Sequence, residues 1–241
     1  MKVLVFDTET TGLPLTKLLR CDLLPLWPHI VQFSYIIYDI EREKVLKIHD
    51  NILKIPDDIL MTEEAINVHH ITNEMSQQSI TTFEVILNEF FNDLHSVDEL
   101  VAHNLDFDMN MIKVELMRIV CQYSMNLEEK RRSSRLQGFS PSATVLKTLA
   151  QEILKILDKK TTYCTMQNSI QLCNIKTVSK TGKAFTKYPK LKELHEKLFA
   201  VAPLENLHNS LNDAVVCLRC YLKLKHEMNV PVTLAVKYKC C

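Results

Sequence analysis

The sequence predicts an α/β fold, a mixed sheet with helices on its faces, and three observations carry that prediction. The chain opens with a short apolar run, Val3-Leu4-Val5-Phe6, the mark of a strand buried on both faces. Two longer strand-like segments follow, separated only by a brief charged link. Beyond them helical and strand patterns alternate to about residue 227, as expected where helices cover a sheet.

Taken in order, the first strand is expected to stop at Asp7 and give way to a polar turn, Thr8-Glu9-Thr10-Thr11-Gly12. Residues 14–29 carry Pro14, Pro25 and Pro28 and read as a long loop. Strands are expected from Ile30 to Asp39 and from Lys44 to about Ile52, and the link Ile40-Glu41-Arg42-Glu43 makes them an antiparallel hairpin. Helical patterns occupy about 62–68 and 82–95. Leu100–Ala102 is a brief strand, and an amphipathic helix runs from about Phe107 to Gln122, with Met111, Val114, Leu116, Met117 and Val120 on its apolar side. Residues 125–142, with Lys130, Arg131, Arg132 and Arg135, read as a polar, basic loop or insertion. Helix returns near 143–157, Tyr163 to Gln167 is a short strand, and helices close the pattern at roughly 190–200 and 209–227, the last capped by Asn209 or Ser210. The organisation expected is one domain over 1–227, with a basic insertion around 125–160 and a tail at 228–241.

Composition narrows the function. The 241 residues are 46% hydrophobic and 24% charged, in the range of a globular protein with a sizeable core. Lysine plus arginine equals aspartate plus glutamate at 29 each, so any nucleic-acid surface must come from local charge separation. Only three glycines occur, Gly12, Gly138 and Gly182, too few for a glycine-rich phosphate loop of P-loop or dinucleotide type. Eight cysteines without an N-terminal apolar leader suggest reduced thiols in an intracellular compartment, cytoplasm or nucleus. Cys217 and Cys220 form a CxxC inside a helical pattern, where helix packing is the first reading and a structural zinc site the alternative. No apolar run approaches the roughly 20 residues of a membrane span.

Three polar clusters carry the chemistry. Asp7 and Glu9 stand two apart at a strand end, so both carboxylates point to one side and can share a hard cation. His103-Asn104-Leu105-Asp106-Phe107-Asp108 lies where a strand feeds a helix, and acids also favour a first helical turn for reasons of dipole alone. His208-Asn209-Ser210-Leu211-Asn212-Asp213 places a histidine just outside a helix and an acid within its first turns. Taken singly, each has an ordinary reading as loop acid or helix cap.

Together, in this order and on these elements, the clusters resemble the DEDDh exonucleases, a family that includes the proofreading epsilon subunit of bacterial DNA polymerase III. The first family motif is matched by Val5-Phe6-Asp7-Thr8-Glu9-Thr10-Thr11-Gly12-Leu13. The second, His-Asn-x-x-Phe-Asp, is matched by His103 to Asp108 and selects Asp108 over Asp106. The third, His-x-x-x-x-Asp, is His208 to Asp213; the tyrosine pattern of the sister class is absent. Softer matches are Trp27-Pro28-His29-Ile30-Val31-Gln32, Val68-His69-His70-Ile71-Thr72 and the Leu191 to Phe199 segment. His70 stands where the family usually has glycine. The resemblance covers about residues 2–123 and 163–222.

It implies an RNase H-like fold, a mixed five-stranded sheet flanked by helices with strands one to three antiparallel. It also implies two divalent ions, Mg²⁺ or Mn²⁺, held by Asp7, Glu9, Asp108 and Asp213. Four acids suit such ions on independent grounds, since oxygen ligands prefer hard cations and paired ions stabilise both oxygens of an in-line displacement. By the same resemblance His208 is the general base toward the attacking water. Thr10, Gly12, Leu13, His69, Asn104 and Phe107 are candidates to hold the terminal nucleotide, with packing at the helix start as a second reading for Phe107. The expected reaction is 3′→5′ hydrolysis of DNA at single-stranded or frayed 3′ ends, releasing nucleoside 5′-monophosphates. Trimming of RNA 3′ ends and a non-catalytic nucleic-acid-binding module are the alternatives. The partner expected is nucleic acid with a free 3′ end, and a polymerase or other replication or repair protein would act in trans. From Lys159 to Lys192 there is no acid and there are eight lysines. Within that run, Lys176 to Lys190 is expected either to be solvated surface or to track phosphates.

Overall fold

The computed structural model describes residues 1–132, 141–203 and 207–230. Its main sheet has five strands, β1 (Lys2–Thr10), β2 (Ile30–Asp39), β3 (Lys44–Ile52), β4 (Glu99–Ala102) and β5 (Thr161–Cys164), in the order β3-β2-β1-β4-β5. β1, β2 and β3 pair antiparallel, while β4 and β5 run parallel to β1. The mixed α/β sheet read from the sequence is the sheet observed.

Alternation along the strands splits the core in two. Leu4, Phe6, Phe33 and Tyr35 face α3 (Phe83–Ser96), α4 (Leu105–Arg132) and α5 (Pro141–Leu157). Val3, Val5, Ile36, Tyr38 and Val101 face the other way, onto Val215, Leu218 and Tyr221 of α9 (Ser210–His226). β2 is buried along its whole length because it is covered on both faces. Smaller elements fill the connections: α1 (Glu63–His69), α2 (Asn73–Gln78), α6 (Thr165–Asn168), α7 (Ile170–Cys173) and α8 (Leu191–Phe199). A separate two-stranded ribbon joins β6 (Lys176–Val178) to β7 (Ala184–Thr186).

Several expectations are corrected. β1 does not end at Asp7, because Thr8, Glu9 and Thr10 remain paired with Phe33, Gln32 and Ile30. The 14–29 loop contains a 3₁₀ helix at Cys21–Leu26. α4 begins at Leu105 and continues to Arg132, past Gln122 and into the segment read as a loop. That segment is polar, but leucine, glutamate, lysine and arginine are all good helix formers and no glycine or proline interrupts it before Gly138. Arg135 and residues 231–241 of the tail lie outside the described residues. The strand expected at 163–167 sits earlier, at Thr161–Cys164, and gives way to α6.

The cysteine pattern resolves into packing. On α9 Cys217 joins the cluster beneath β1, while Cys220 joins Leu194 and Val216 against α8. Both are free thiols, as are Cys164 and Cys173, whereas Cys121 on α4 is disulfide-bonded, which departs from the all-reduced expectation. Among the described residues no helix is long and apolar enough to cross a membrane.

Candidate active site

The sheet order brings the polar clusters together. β1 and β4 are parallel neighbours, so their C-terminal ends share one edge, and α4 leaves β4 at that edge. The turn between them uses Asn104 at φ 67°, a left-handed conformation that asparagine tolerates better than most residues. Its carbonyl accepts from the Phe107 N–H at 2.9 Å, starting the helix.

On β1 the odd positions Val3 and Val5 face α9, and Asp7 and Glu9 continue that series. Both carboxylates therefore emerge toward the first turn of α9, where Asp213 meets them. One carboxylate oxygen from each of Asp7, Glu9 and Asp213 lies within 4.8 Å of the other two, the sole such group of potential metal ligands among the described residues. Asp108 arrives from the opposite face on α4. Its Oδ1 accepts from the Thr8 backbone N–H at 3.0 Å and the Thr8 hydroxyl at 2.7 Å. Thr8 thus holds the fourth carboxylate at the rim of the other three, a role the sequence reading did not assign. Asp106, by contrast, is exposed and accepts from Gln167 Nε2 at 3.2 Å.

A polar chain docks α9 in register. Gln32 and Ser34 pair across the strands with Glu9 and Asp7 and so share their face. Gln32 Oε1 accepts from the Ser210 N–H (3.2 Å) and from Asn209 Nδ2 (3.3 Å), and the Ser34 and Ser210 hydroxyls are 2.5 Å apart. Asp50 on β3 accepts from Gln32 Nε2 and the Ser34 hydroxyl, both at 2.8 Å. Asn209 is the helix cap the sequence offered. Ser34 and Asp50 were not singled out and Gln32 was noted only within a softer family match, although two polar residues inside the otherwise apolar Ile30–Tyr38 run were a usable signal.

The electrostatics are those of unshared negative charge. Burial, and then Asp108, Asp213 and Glu9, hold the Asp7 carboxyl well above the usual carboxylate range. Glu9 is pushed up to about 8 by burial first, then by Asp213 and Asp108. Asp108 is raised to about 7 by burial against the lowering Thr8 hydrogen bonds. Asp213 rises to about 6, burial outweighing the His208 N–H and the His208 charge. Among the described residues no lysine or arginine enters any of these balances. Asp213 Oδ1 is buried and has no hydrogen-bond partner among the described residues.

The other candidates divide. His208 is exposed at φ 75°, and its backbone N–H donates to Asp213 Oδ2 at 3.1 Å, leaving the ring to solvent. His69 is buried with both ring nitrogens engaged. The Ile71 N–H donates to Nδ1 (3.0 Å), so Nε2–H donates to the Thr10 carbonyl (3.2 Å). It braces the end of β1. The Thr10 hydroxyl donates to the Gly12 carbonyl at 2.8 Å. A Cβ at Gly12 would stand 3.1 Å from Thr62 Cγ2, so glycine permits the close approach of α1's capping residue. Leu13 is 81% exposed. Gly12 and Leu13 line a cleft of about 930 Å³ together with Leu15, Trp27 and Leu60. Phe107 packs partly buried against the main core. His70, in place of the family's glycine, adopts φ 61° as the C-cap of α1, the left-handed conformation glycine supplies freely.

Comparison with known proteins bears on this arrangement. The sequence profile of the RNase T exonuclease family matches residues 4–155. Comparison with curated protein sequences finds no match. Among solved structures, the chain is similar to a 3′-exonuclease studied for 3′-end recognition of a histone mRNA stem-loop. The TM-score is 0.55 at 13% identity, covering 94% of this chain and 82% of that one. It is similar to the nuclease domain of 3′hExo, a DEDDh family member bound to rAMP (0.53, 13%, covering 94% and 92%). It also resembles exonuclease I of Methylocaldum szegediense (0.51, 15%), of which it spans 41% while 94% of this chain is covered. At these identities the likeness is one of fold.

Proposed function

The chain belongs to the RNase T exonuclease family, and from that premise we propose that it is a metal-dependent 3′→5′ exonuclease acting on single-stranded or frayed DNA ends. The observation that carries the reading is the meeting of Asp7, Glu9 and Asp213 oxygens within 4.8 Å, one Asp213 oxygen being buried and unpartnered among the described residues. Three carboxylates at that spacing, with no lysine or arginine to balance them among the described residues, match the donor chemistry of a hard divalent cation. Asp7, Glu9 and Asp213 would hold it, with Asp108 joining from its Thr8-fixed position when a second ion binds. When bound, Mg²⁺ or Mn²⁺ supplies Lewis-acid stabilisation of the charge that develops on the phosphodiester oxygens.

The chain's own residues do the rest. His208 offers an exposed imidazole at the mouth of the cluster, placed by its backbone bond to Asp213, and would take the proton of the attacking water. The Thr10–Gly12 strap, braced by His69 and α1, presents Gly12 and exposed Leu13 to the terminal nucleotide, and Asn104, exposed at the start of α4, is the further contact proposed. Phe107 supports that turn from below. RNA trimming is the second reading, favoured by the likeness to a 3′-exonuclease crystallised with rAMP and to one that recognises a histone mRNA end.

The test uses 5′-labelled single-stranded DNA, duplex DNA and RNA, each with Mg²⁺, Mn²⁺ or chelator, with products resolved by length. Progressive shortening from the 3′ end that requires the metal is the expected result. His208→Ala should lower the rate on the order of 10²–10⁴-fold. Cleavage that persists fully in chelator would overturn the reading.

A further inference from the structure

Resting on the exonuclease reading, we propose that the β6–β7 hairpin is a single-strand-binding arm that holds nucleic-acid phosphates on Lys180 and Lys183 and stacks bases on Phe185 and Tyr188. The hairpin stands apart from the main sheet as its own two-stranded ribbon. Thr177 pairs with Phe185, and the ladder is extended by Lys187 N–H to the Ile175 carbonyl (3.0 Å) and Ser179 N–H to the Lys183 carbonyl (2.9 Å). Alternation then puts Lys183, Phe185 and Lys187 on one face. The ribbon reverses through Ser179–Lys183, where Gly182 at φ 81° makes the turn.

Two features separate this arm from ordinary solvated surface. Its aromatic side chains are uncovered, Phe185 at 47% and Tyr188 at 55% exposure, although a hairpin this short gains stability chiefly by burying such groups. Two of its cations are also unmatched among the described residues. Lys187 is paired with Glu193 at 2.6 Å, Lys192 approaches Glu196, and Lys176 Nζ donates to the Thr186 hydroxyl at 2.7 Å. Lys180 and Lys183 are exposed and have no ion-pair partner among the described residues. Lys190, also exposed, lies beyond the hairpin at the start of α8, where its charge acts on Glu193. Within the hairpin, the phosphate track expected over Lys176 to Lys190 is therefore narrowed to the tip. Free cations interleaved with exposed rings fit a flexible strand of phosphates and bases. An acidic protein surface would use the cations and leave the rings unexplained.

The arm is tied to the catalytic edge. His103 Nε2–H donates to the Pro189 carbonyl at 3.1 Å, just beyond β7, and its Nδ1 lies 2.9 Å from the Thr165 hydroxyl. His103 immediately precedes Asn104, so the root of the hairpin is fastened to the turn that opens α4 and carries Asp108. A strand lying on the arm is thus led toward the carboxylates.

The test measures anisotropy of labelled 15-mers, dT and rU in separate arms, across a salt series in EDTA, where no strand is cut. In parallel, metal-dependent hydrolysis of the p-nitrophenyl ester of thymidine 5′-monophosphate reports the catalytic centre without a strand to track. The double variant Lys180→Ala/Lys183→Ala should bind more weakly and flatten the log–log salt slope by about 1.4, at about 0.7 per lost phosphate contact. Phe185→Leu should lose about tenfold in affinity with the slope unchanged, while Phe185→Trp, which still stacks, keeps wild-type affinity. Ester hydrolysis should be unchanged in all three variants. An unchanged slope in the lysine variant, or unchanged affinity in Phe185→Leu, overturns the proposal. A wild-type protein inert toward the ester in Mg²⁺ and Mn²⁺ would strike the exonuclease reading, and the binding series would still decide the arm.

Discussion

Glu99 and Asp108 stand at opposite ends of a single strand-to-helix step, and the chain treats the two carboxyls differently. Glu99, buried at the start of β4, receives Lys225 Nζ at 2.6 and 2.7 Å and the Tyr221 hydroxyl at 2.5 Å. Asp108, buried at the start of α4, receives the N–H and hydroxyl of Thr8 and its own backbone N–H. It shares its surroundings with three more acids and, among the described residues, no lysine or arginine. Both partners of Glu99 come from the C-terminal half of α9, and the same helix brings Asp213 to the other end. One helix therefore neutralises acid at one edge of the sheet and adds acid at the other. Burying a charge is costly unless it is paired. The difference marks the first edge as structural and sets the second apart as the edge where the proposed cation would complete the charge balance.

The largest effects should come from exchanging these roles. Asp7→Asn should remove most of the nuclease activity while raising the melting temperature of the metal-free protein, because it relieves repulsion at an uncompensated site. Lys225→Met should do the opposite, leaving Glu99 buried without its cation. It should cost about 2 kcal/mol of stability, discounted for the partial exposure of the lysine, with activity preserved below the transition. Melting curves and single-strand cleavage rates on both variants check this. A destabilised metal-free Asp7→Asn protein would break the comparison.

A smaller effect follows from pH. Glu9 titrates at about 8 in the fold against an ordinary 4.5, and Asp108 and Asp213 at about 7 and about 6 against 3.8. Between those limits the folded protein keeps protons that the unfolded chain has released. Stability of the metal-free protein should therefore fall as pH rises from about 4 to about 8, the reverse of ordinary acid denaturation. Saturating Mg²⁺ should abolish that slope. Thermal melts at about pH 5 and about pH 8, with chelator and with Mg²⁺, would refute the idea if the chelated protein were the more stable at the higher pH.

The smallest expected effect sharpens the role of Thr8. Thr8→Val keeps the shape of the side chain and removes the hydroxyl that donates to Asp108. By analogy with lost outer-shell partners, Mn²⁺ affinity should fall about 10- to 100-fold, with the fold intact. Mn²⁺ titration measures it, and unchanged affinity would show that the backbone N–H alone suffices.

What the sequence made legible depended on whether the signal was local. β2 and β3 were read to the residue because their apolar content and the charged link between them are continuous. β1 was read too short, since Thr8-Glu9-Thr10 looks like a turn unless one knows that β2 lies alongside to pair with it. α2 and the β6–β7 ribbon were missed because six- and three-residue elements hold too little periodicity to register. The acids at 7, 9, 108 and 213 stood out through the spacing of their motifs. Thr8, Gln32, Ser34, Asp50 and Ser210 did not, because their roles exist only once β1, β2, β3 and α9 are side by side. Polar residues inside the buried β2 were the visible part of that network.

α9 has a consequence for the growing chain. Val3, Val5, Ile36, Tyr38 and Val101 form an apolar sheet face well before Ser210–His226 is synthesised, and among the described residues that helix supplies most of its cover. During translation this face stays open to chaperones or to unwanted partners, as unpartnered apolar faces do in folding intermediates. Asp213 enters with the same helix, so the carboxylate cluster is assembled by the step that closes the core. A nascent chain that has not yet buried its second face is also one whose carboxylate cluster is still incomplete.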